Sequence, residues 1–272
     1  MRRGWFLPVS RALTVVLAMP GSALAAGDAE TSNPRSVEES RAEEQGPDRE
    51  SKPDFLFGAP RRSIAFRGGW AFAGADSEVF DFVGDRLTIE DSDFNAPALG
   101  IDLEFRVRPR LAVQFRFEYS TSTVESEFRD YVDQDDQPIT QETKFLRIPL
   151  TGSLKVYLTS RGREVGRYAW IPNGVAPYVG GGGGFLWYEF DQFGDFVDFA
   201  DLSIFTDTFI SEGWTPTFHV FGGAHVKLSA RAFLVLEVCY AWADADLGRD
   251  FVGFDPIDLS GLTTIAAVEL VF

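Results

Sequence analysis

From residue 61 onward the chain alternates apolar and polar positions with a period of two. Residues 111–119 read LAVQFRFEY. Leu111, Val113, Phe115, Phe117 and Tyr119 share one face, and Gln114, Arg116 and Glu118 share the other. That period marks a strand with two unlike faces. The stretches 101–107 and 146–156 repeat it, and no helical period competes. The pattern predicts eight strands, at about 62–74, 97–107, 111–124, 143–158, 176–190, 214–228, 232–243 and 260–272.

The predicted connections differ in length from one end to the other. Arg108-Pro109-Arg110 and Ser229-Ala230-Arg231 are tight turns, and 159–175 carries the turn formers Pro172, Asn173 and Gly174. The other four, near 75–95, 125–142, 191–213 and 244–259, are long. The expected fold is all-β, an eight-stranded antiparallel up-and-down transmembrane β-barrel. A soluble barrel alternates too, with its apolar face inward. Alternation alone does not choose between them.

Position and charge do choose. Trp70, Tyr119, Tyr188, Phe190, Trp214, Tyr240 and Trp242 are read on the apolar parity, at the strand ends beside the long loops. This predicts an aromatic girdle at a membrane interface. The opposite parity carries Arg67, Arg106, Arg116, Arg147, Lys155 and Lys227 against Asp102, Glu104, Glu118, Glu189, Glu237 and Glu269. Six charges of each sign can pair in a polar lumen. Against lipid, each basic residue near the midplane would cost roughly 2–4 kcal/mol. Lys144 has lipid-side parity but lies at the rim, where its charge can reach water. The ends are polar opposites as well. The long loops hold 25 acidic and three basic residues, whereas the short turns hold six arginines and one Glu164.

The net charge of −16 argues against a nucleic-acid partner, which needs basic patches. At the N-terminus, Arg2 and Arg3 precede the apolar run ALTVVLAM and the small-x-small site Ala23-Leu24-Ala25. This predicts a signal peptide over 1–25. Residues 26–60 are rich in Glu, Ser, Arg and Pro and are expected to form a disordered arm. A single cysteine, Cys239, excludes an internal disulfide and reads as a packed strand residue.

Several candidate sites carry little chemistry. The run Gly180 to Gly184 lacks the Lys-Ser/Thr of a phosphate loop and lies inside a strand, where glycine allows curvature or close approach. His219 and His225 share the inward parity, about 20 Å apart along a strand, too far for one metal site by themselves. No serine is expected beside His219. No catalytic set emerges, and no cofactor or enzyme activity is expected. The clusters Asp130, Asp133, Asp135, Asp136 and Glu90, Asp91, Asp93 are oxygen-rich enough for divalent cations such as calcium, without an EF-hand pattern. The loop 191–213 carries Phe193, Phe196, Phe199, Phe205 and Phe209 among aspartates and is expected to cap the mouth or meet a partner.

The segments RIPLTGSLKVYL, APYVGGGGGFLWYEF, HVFGGAHVKLSARAFLVLEVCYAW and the terminal AVELVF resemble the small eight-stranded outer-membrane barrels, the OmpA transmembrane domain and the OmpW and OmpX types among them. The resemblance covers about 61–272. It implies an outer-membrane location with contact to lipid and lipopolysaccharide, and a role for Phe272 as the signal read by the barrel-assembly machinery. Two functions remain open. One is a structural or surface-interaction barrel with a closed, charge-balanced lumen. The other is an OmpW-like passage for small molecules lined by Phe185, Trp187, Phe221, Phe233 and Val235.

Overall fold

The computed structural model describes residues 55–133, 135–199 and 201–272. The expected signal peptide and all but the end of the expected arm lie outside these residues. Eight strands close into one antiparallel barrel: β2 (Arg62–Ala73), β3 (Ala96–Arg108), β4 (Leu111–Val132), β5 (Pro138–Tyr157), β8 (Val175–Val197), β9 (Ile204–Lys227), β10 (Ala232–Trp242) and β13 (Gly261–Val271). β13 pairs with β2 from Gly261↔Ala73 to Val271↔Ser63, so no barrel edge is left open there. Alternation produces this directly. On β3, Pro97, Leu99, Ile101, Leu103, Phe105 and Val107 face out, while Asp102 and Glu104 face the lumen.

Two expected long loops are instead mostly strand. β4 and β5 stay paired to Val132↔Pro138, and β8 and β9 to Val197↔Ile204. One face of these hairpins is partly covered, but its buried positions mix polar Ser126, Gln141 and Gln192 with apolar Ile139 and Val197, which left no clear alternation to read.

The other two long connections fold inward as a plug. Residues 75–95 contain α1 (Glu78–Arg86), a helix that the strand periodicity hid. Val79, Phe80 and Val83 bury one face of it, and nine residues are too few to show a helical period on their own. The Phe80 ring meets Phe94, Phe145 and Phe190 edge-on, at 4.8, 5.6 and 5.7 Å between centroids. Residues 244–259 add Phe251, Ile257 and Leu259 to the same apolar cluster, and β11 (Asp244–Ala245) pairs there with β12 (Ile257–Asp258).

The opposite end is closed by a small sheet of β1 (Leu56–Phe57), β7 (Ala169–Pro172) and β6 (Gly162–Val165). Leu56 and Trp170 pack there on Phe233 and Val271. The stretch 159–175, read as a longer connection with turn formers, is a hairpin, and Leu56, within the expected arm, pairs with Trp170.

Candidate functional site

The lumen is the most elaborate site in the protein. Its lower layer, at the short-turn end, is built on Glu104 and Glu269. Lys155 Nζ bonds Glu104 at 3.0 Å. Arg161 joins both carboxylates, at 2.7 Å to Glu104 and 3.0 Å to Glu269. His225 Nδ1 lies 2.7 Å from Glu269. The Tyr157 hydroxyl donates to Glu104 at 2.9 Å.

The upper layer is built on Arg67 and Arg116. Arg67 reaches Asp102 at 3.0 Å, Glu118 at 3.2 Å and Glu237 at 3.4 Å. Arg116 bonds Asp102 at 3.1 Å and also Glu237. The Tyr178 hydroxyl donates to Glu237 at 2.9 Å. Gly223 makes room for that tyrosine, since a Cβ there would sit 2.6 Å from its hydroxyl oxygen.

Arg147 lies above this layer, toward the plug. Arg67, Arg116, Arg147, Lys155 and Arg161 thus face Asp102, Glu104, Glu118, Glu237 and Glu269, equal in number. Buried charges are tolerable when paired and hydrogen-bonded, as all of these but Arg147 are.

Glu104, His225 and Glu269 bring ligand atoms within 4.8 Å of one another, the spacing a metal ion needs. Lys155 and Arg161 already occupy those carboxylates and neutralise them. A dication would add two uncompensated charges in a desolvated space. The donor set therefore suits the ion-paired state rather than a metal.

Most of the expected network is in place. Arg67, Asp102, Glu104, Arg116, Glu118, Arg147, Lys155, Glu237 and Glu269 all turn inward. Arg106 and Lys227 keep the inward parity but lie half-buried at the short-turn rim. Arg161 was missed because it belongs to a connection rather than a strand, so no parity flagged it. Tyr157 and Tyr178 were missed because a hydroxyl partner inside a lumen looks apolar in a binary pattern.

Strand β8 overturns several assignments. Glu189 is not in the lumen; it faces out and pairs with Lys144 at 2.7 Å. Tyr188 and Phe190 are not girdle residues; both are buried inside the barrel in the plug. Phe185 and Trp187 are not lumen residues; Phe185 is 61 % exposed, and Trp187 meets Trp214 on the outer face, 5.4 Å between rings. The cause is the run Gly180 to Gly184. Five residues without side chains carry no facing information, and the inward positions beyond them are apolar because they meet the plug. The other residues read as a girdle, Trp70, Tyr119, Trp214, Tyr240 and Trp242, are exposed on the outer face, as is Phe272.

His219 is a further correction. Ser153 Oγ lies 2.7 Å from its Nε2, brought there by the neighbouring strand. The pair is buried inside the barrel, where it satisfies two polar side chains. Phe221, Phe233 and Val235 are inward and buried as read, and Cys239 is buried in the lumen with Arg116 Nη1 at 3.7 Å from its sulfur.

The acidic clusters serve their own turns. Asp133 Oδ1 accepts from the backbone N–H groups of Asp135 and Gln137, at 2.8 and 2.7 Å. Asp93 Oδ2 accepts from Glu90 N–H at 2.9 Å. Of the Phe-rich segment, Phe209 leans on the plug against Phe251, and Phe199 lies under the Arg86 guanidinium at 4.8 Å. Phe193, at 54 % exposure, lines a groove of about 680 Å³ on the outer face where the two projecting hairpins pair. Glu125, Glu127, Glu142 and Asp195 line it too.

The outer wall settles the setting. From rim to rim its strands present Phe66, Leu99, Leu103, Phe115, Val220 and Val238 to the surroundings, with the exposed aromatics at one end. A closed barrel with charges inside and an uninterrupted apolar wall outside satisfies its backbone internally and its surface in lipid. The chain is a transmembrane β-barrel of the outer-membrane type. No helix among the described residues is long and apolar enough to cross a membrane, so this barrel crosses with strands.

No family model matches the chain, and neither does any curated protein. Solved structures are similar at low identity. Neisserial surface protein A is 11 % identical with a TM-score of 0.40, covering 78 % of this chain and 96 % of that one. The Escherichia coli outer membrane protein W is 14 % identical with a TM-score of 0.37, covering 79 % and 98 %. Outer membrane protein AlkL, solved in DMPC lipid bilayers, is 19 % identical with a TM-score of 0.33, covering 84 % and 96 %. The strand pairing and surface of the barrel itself, rather than these distant likenesses, carry the assignment.

Proposed function

We propose that the protein is a closed structural barrel that presents an interaction surface outside the cell, with its acidic long-loop end outward and its arginine-bearing turns toward the periplasm. The observation that supports this reading is how the described residues fill the barrel interior. An apolar plug fills one end, a three-stranded sheet covers the other, and ion pairs occupy the space between. An eight-stranded interior is only wide enough for side chains, and these side chains fill it. The hairpins of 125–142 and 191–213 project beyond the aromatic ring and offer the acidic groove around Phe193 as the contact face. The passage reading has lost Phe185 and Trp187, which face the outer side.

Planar-bilayer recording of the refolded protein tests the closed lumen. The expected result is no stable conductance. A reproducible open channel in the native protein would overturn the reading.

A further inference from the structure

We propose that Arg147 latches the plug: its guanidinium crosses the lumen beneath the plug and holds the base of the 244–259 connection, and through it the base of the 75–95 connection. The inference rests on the closed-lumen reading and names what keeps the outer end shut.

The geometry is that of a crossbar. Arg147 stands on β5, and β13 is on the far side of the ring, with β4, β3 and β2 between them. Even so, Arg147 Nη1 lies 3.3 Å from the point where a Cβ on Gly261 of β13 would be. The side chain therefore spans the lumen. Phe145, the next inward residue toward the plug, stacks on the guanidinium at 5.0 Å. Gly261 is required at the other end, because a Cβ there would also sit 2.3 Å from the Phe72 carbonyl oxygen.

Arg147 differs from the other lumen cations. It is buried, yet no carboxylate comes within ion-pair distance among the described residues, and Nη2 has no hydrogen-bond partner. Its Nη1 reaches the entry of β13 at Gly261, three residues after Asp258 of the plug. Asp258 is where the two plug segments are tied. Its N–H donates to Ser77 Oγ at 3.2 Å, its Oδ2 accepts from Asp76 N–H at 3.4 Å, and its Oδ1 accepts from Ser260 N–H at 2.9 Å. One carboxylate thus joins the start of α1 to the entry of β13, the strand end that the Arg147 guanidinium reaches. The network below stays complete without Arg147, since Glu118 is paired with Arg67. What Arg147 adds is attraction between the lumen and the plug.

The chain's one cysteine, Cys239, is buried inside the lumen and reports the seal. The refolded full barrel is exposed to a small cationic methanethiosulfonate reagent and modification is followed by mass, with folding confirmed by the heat-dependent shift on gels. The native protein is expected to label slowly. Arg147→Gln should label at least ten-fold faster, and Arg147→Lys less so. Asp258→Asn should also label faster, and the double variant no faster than Arg147→Gln alone. Hydrogen exchange of 75–95 and 244–259 is read in parallel and should accelerate in the same variants. Where Arg147→Gln fails to fold, Arg147→Lys carries both readouts. Native labelling and exchange rates in the folded variants would overturn the latch. Fast labelling of the native protein would instead overturn the closed lumen.

Discussion

Arg161, on a connection rather than on a barrel strand, donates to Glu104 inside the lumen at 2.7 Å and to Glu269 at 3.0 Å. Two carboxylates from β3 and β13 are thus joined by a cation that enters from the short-turn end. Removing it leaves a buried layer with an excess negative charge. Breaking a buried pair at one partner costs about 3–5 kcal/mol. Arg161→Met should lower stability by about that amount, measured by urea unfolding in lipid vesicles. Arg163→Met, on the same connection but exposed, should stay within about 0.5 kcal/mol of native. Equal effects of the two would show that the lumen layer does not depend on Arg161.

The contrast between Arg161 and Glu189 shows what a linear pattern conveys. Period two placed nine lumen charges correctly because each sits on a strand with readable neighbours on both sides. It misplaced Glu189, Tyr188 and Phe190 because the glycines of β8 erase the facing of that strand, and because the upper lumen is apolar. Inside and outside are both apolar at that height, so hydrophobicity no longer separates them. Arg161, Ser153 beside His219, and the plug helix depend on pairings across the barrel. No local pattern encodes these.

Gly182 and Gly184 show how close the β5–β8 pairing is. A Cβ on either would fall 2.1 Å from a backbone carbonyl oxygen of β5, Gly152 and Leu150 respectively. Backbone cannot yield as a flexible side chain can. Gly182→Ala is expected to impair barrel assembly, seen as loss of the heat-modifiable folded band. Gly222→Ala, whose Cβ would make only ordinary contacts at 3.8 Å, should fold like the native protein. A normal yield from Gly182→Ala would mean that the pairing is looser than described.

Glu125 and Glu142 stand directly opposite each other on β4 and β5, on the outer face in the groove where the hairpins pair. Like charges at such a pair are destabilising, by roughly 0.2–1 kcal/mol. Glu142→Gln should therefore raise stability slightly at low salt, and the gain should shrink as salt screens the repulsion. A loss of stability on neutralising Glu142 would show that the pair is compensated by a contact not seen here.

Leu103 offers the most direct test of which solvent the outer wall meets. It is 43 % exposed on β3, between the lumen residues Asp102 and Glu104. On a soluble barrel, an exposed leucine changed to arginine would alter stability by no more than about 0.5 kcal/mol. In a bilayer, the same charge near mid-height faces hydrocarbon and costs about 2–4 kcal/mol. Leu103→Arg refolded into vesicles should show that larger loss. A milder one is expected for Arg at Trp242, in the exposed aromatic ring, where the head group can reach water. The depth dependence separates the two solvents: a graded loss from rim to mid-wall follows from lipid, and a uniformly small change along the wall would place the barrel in water.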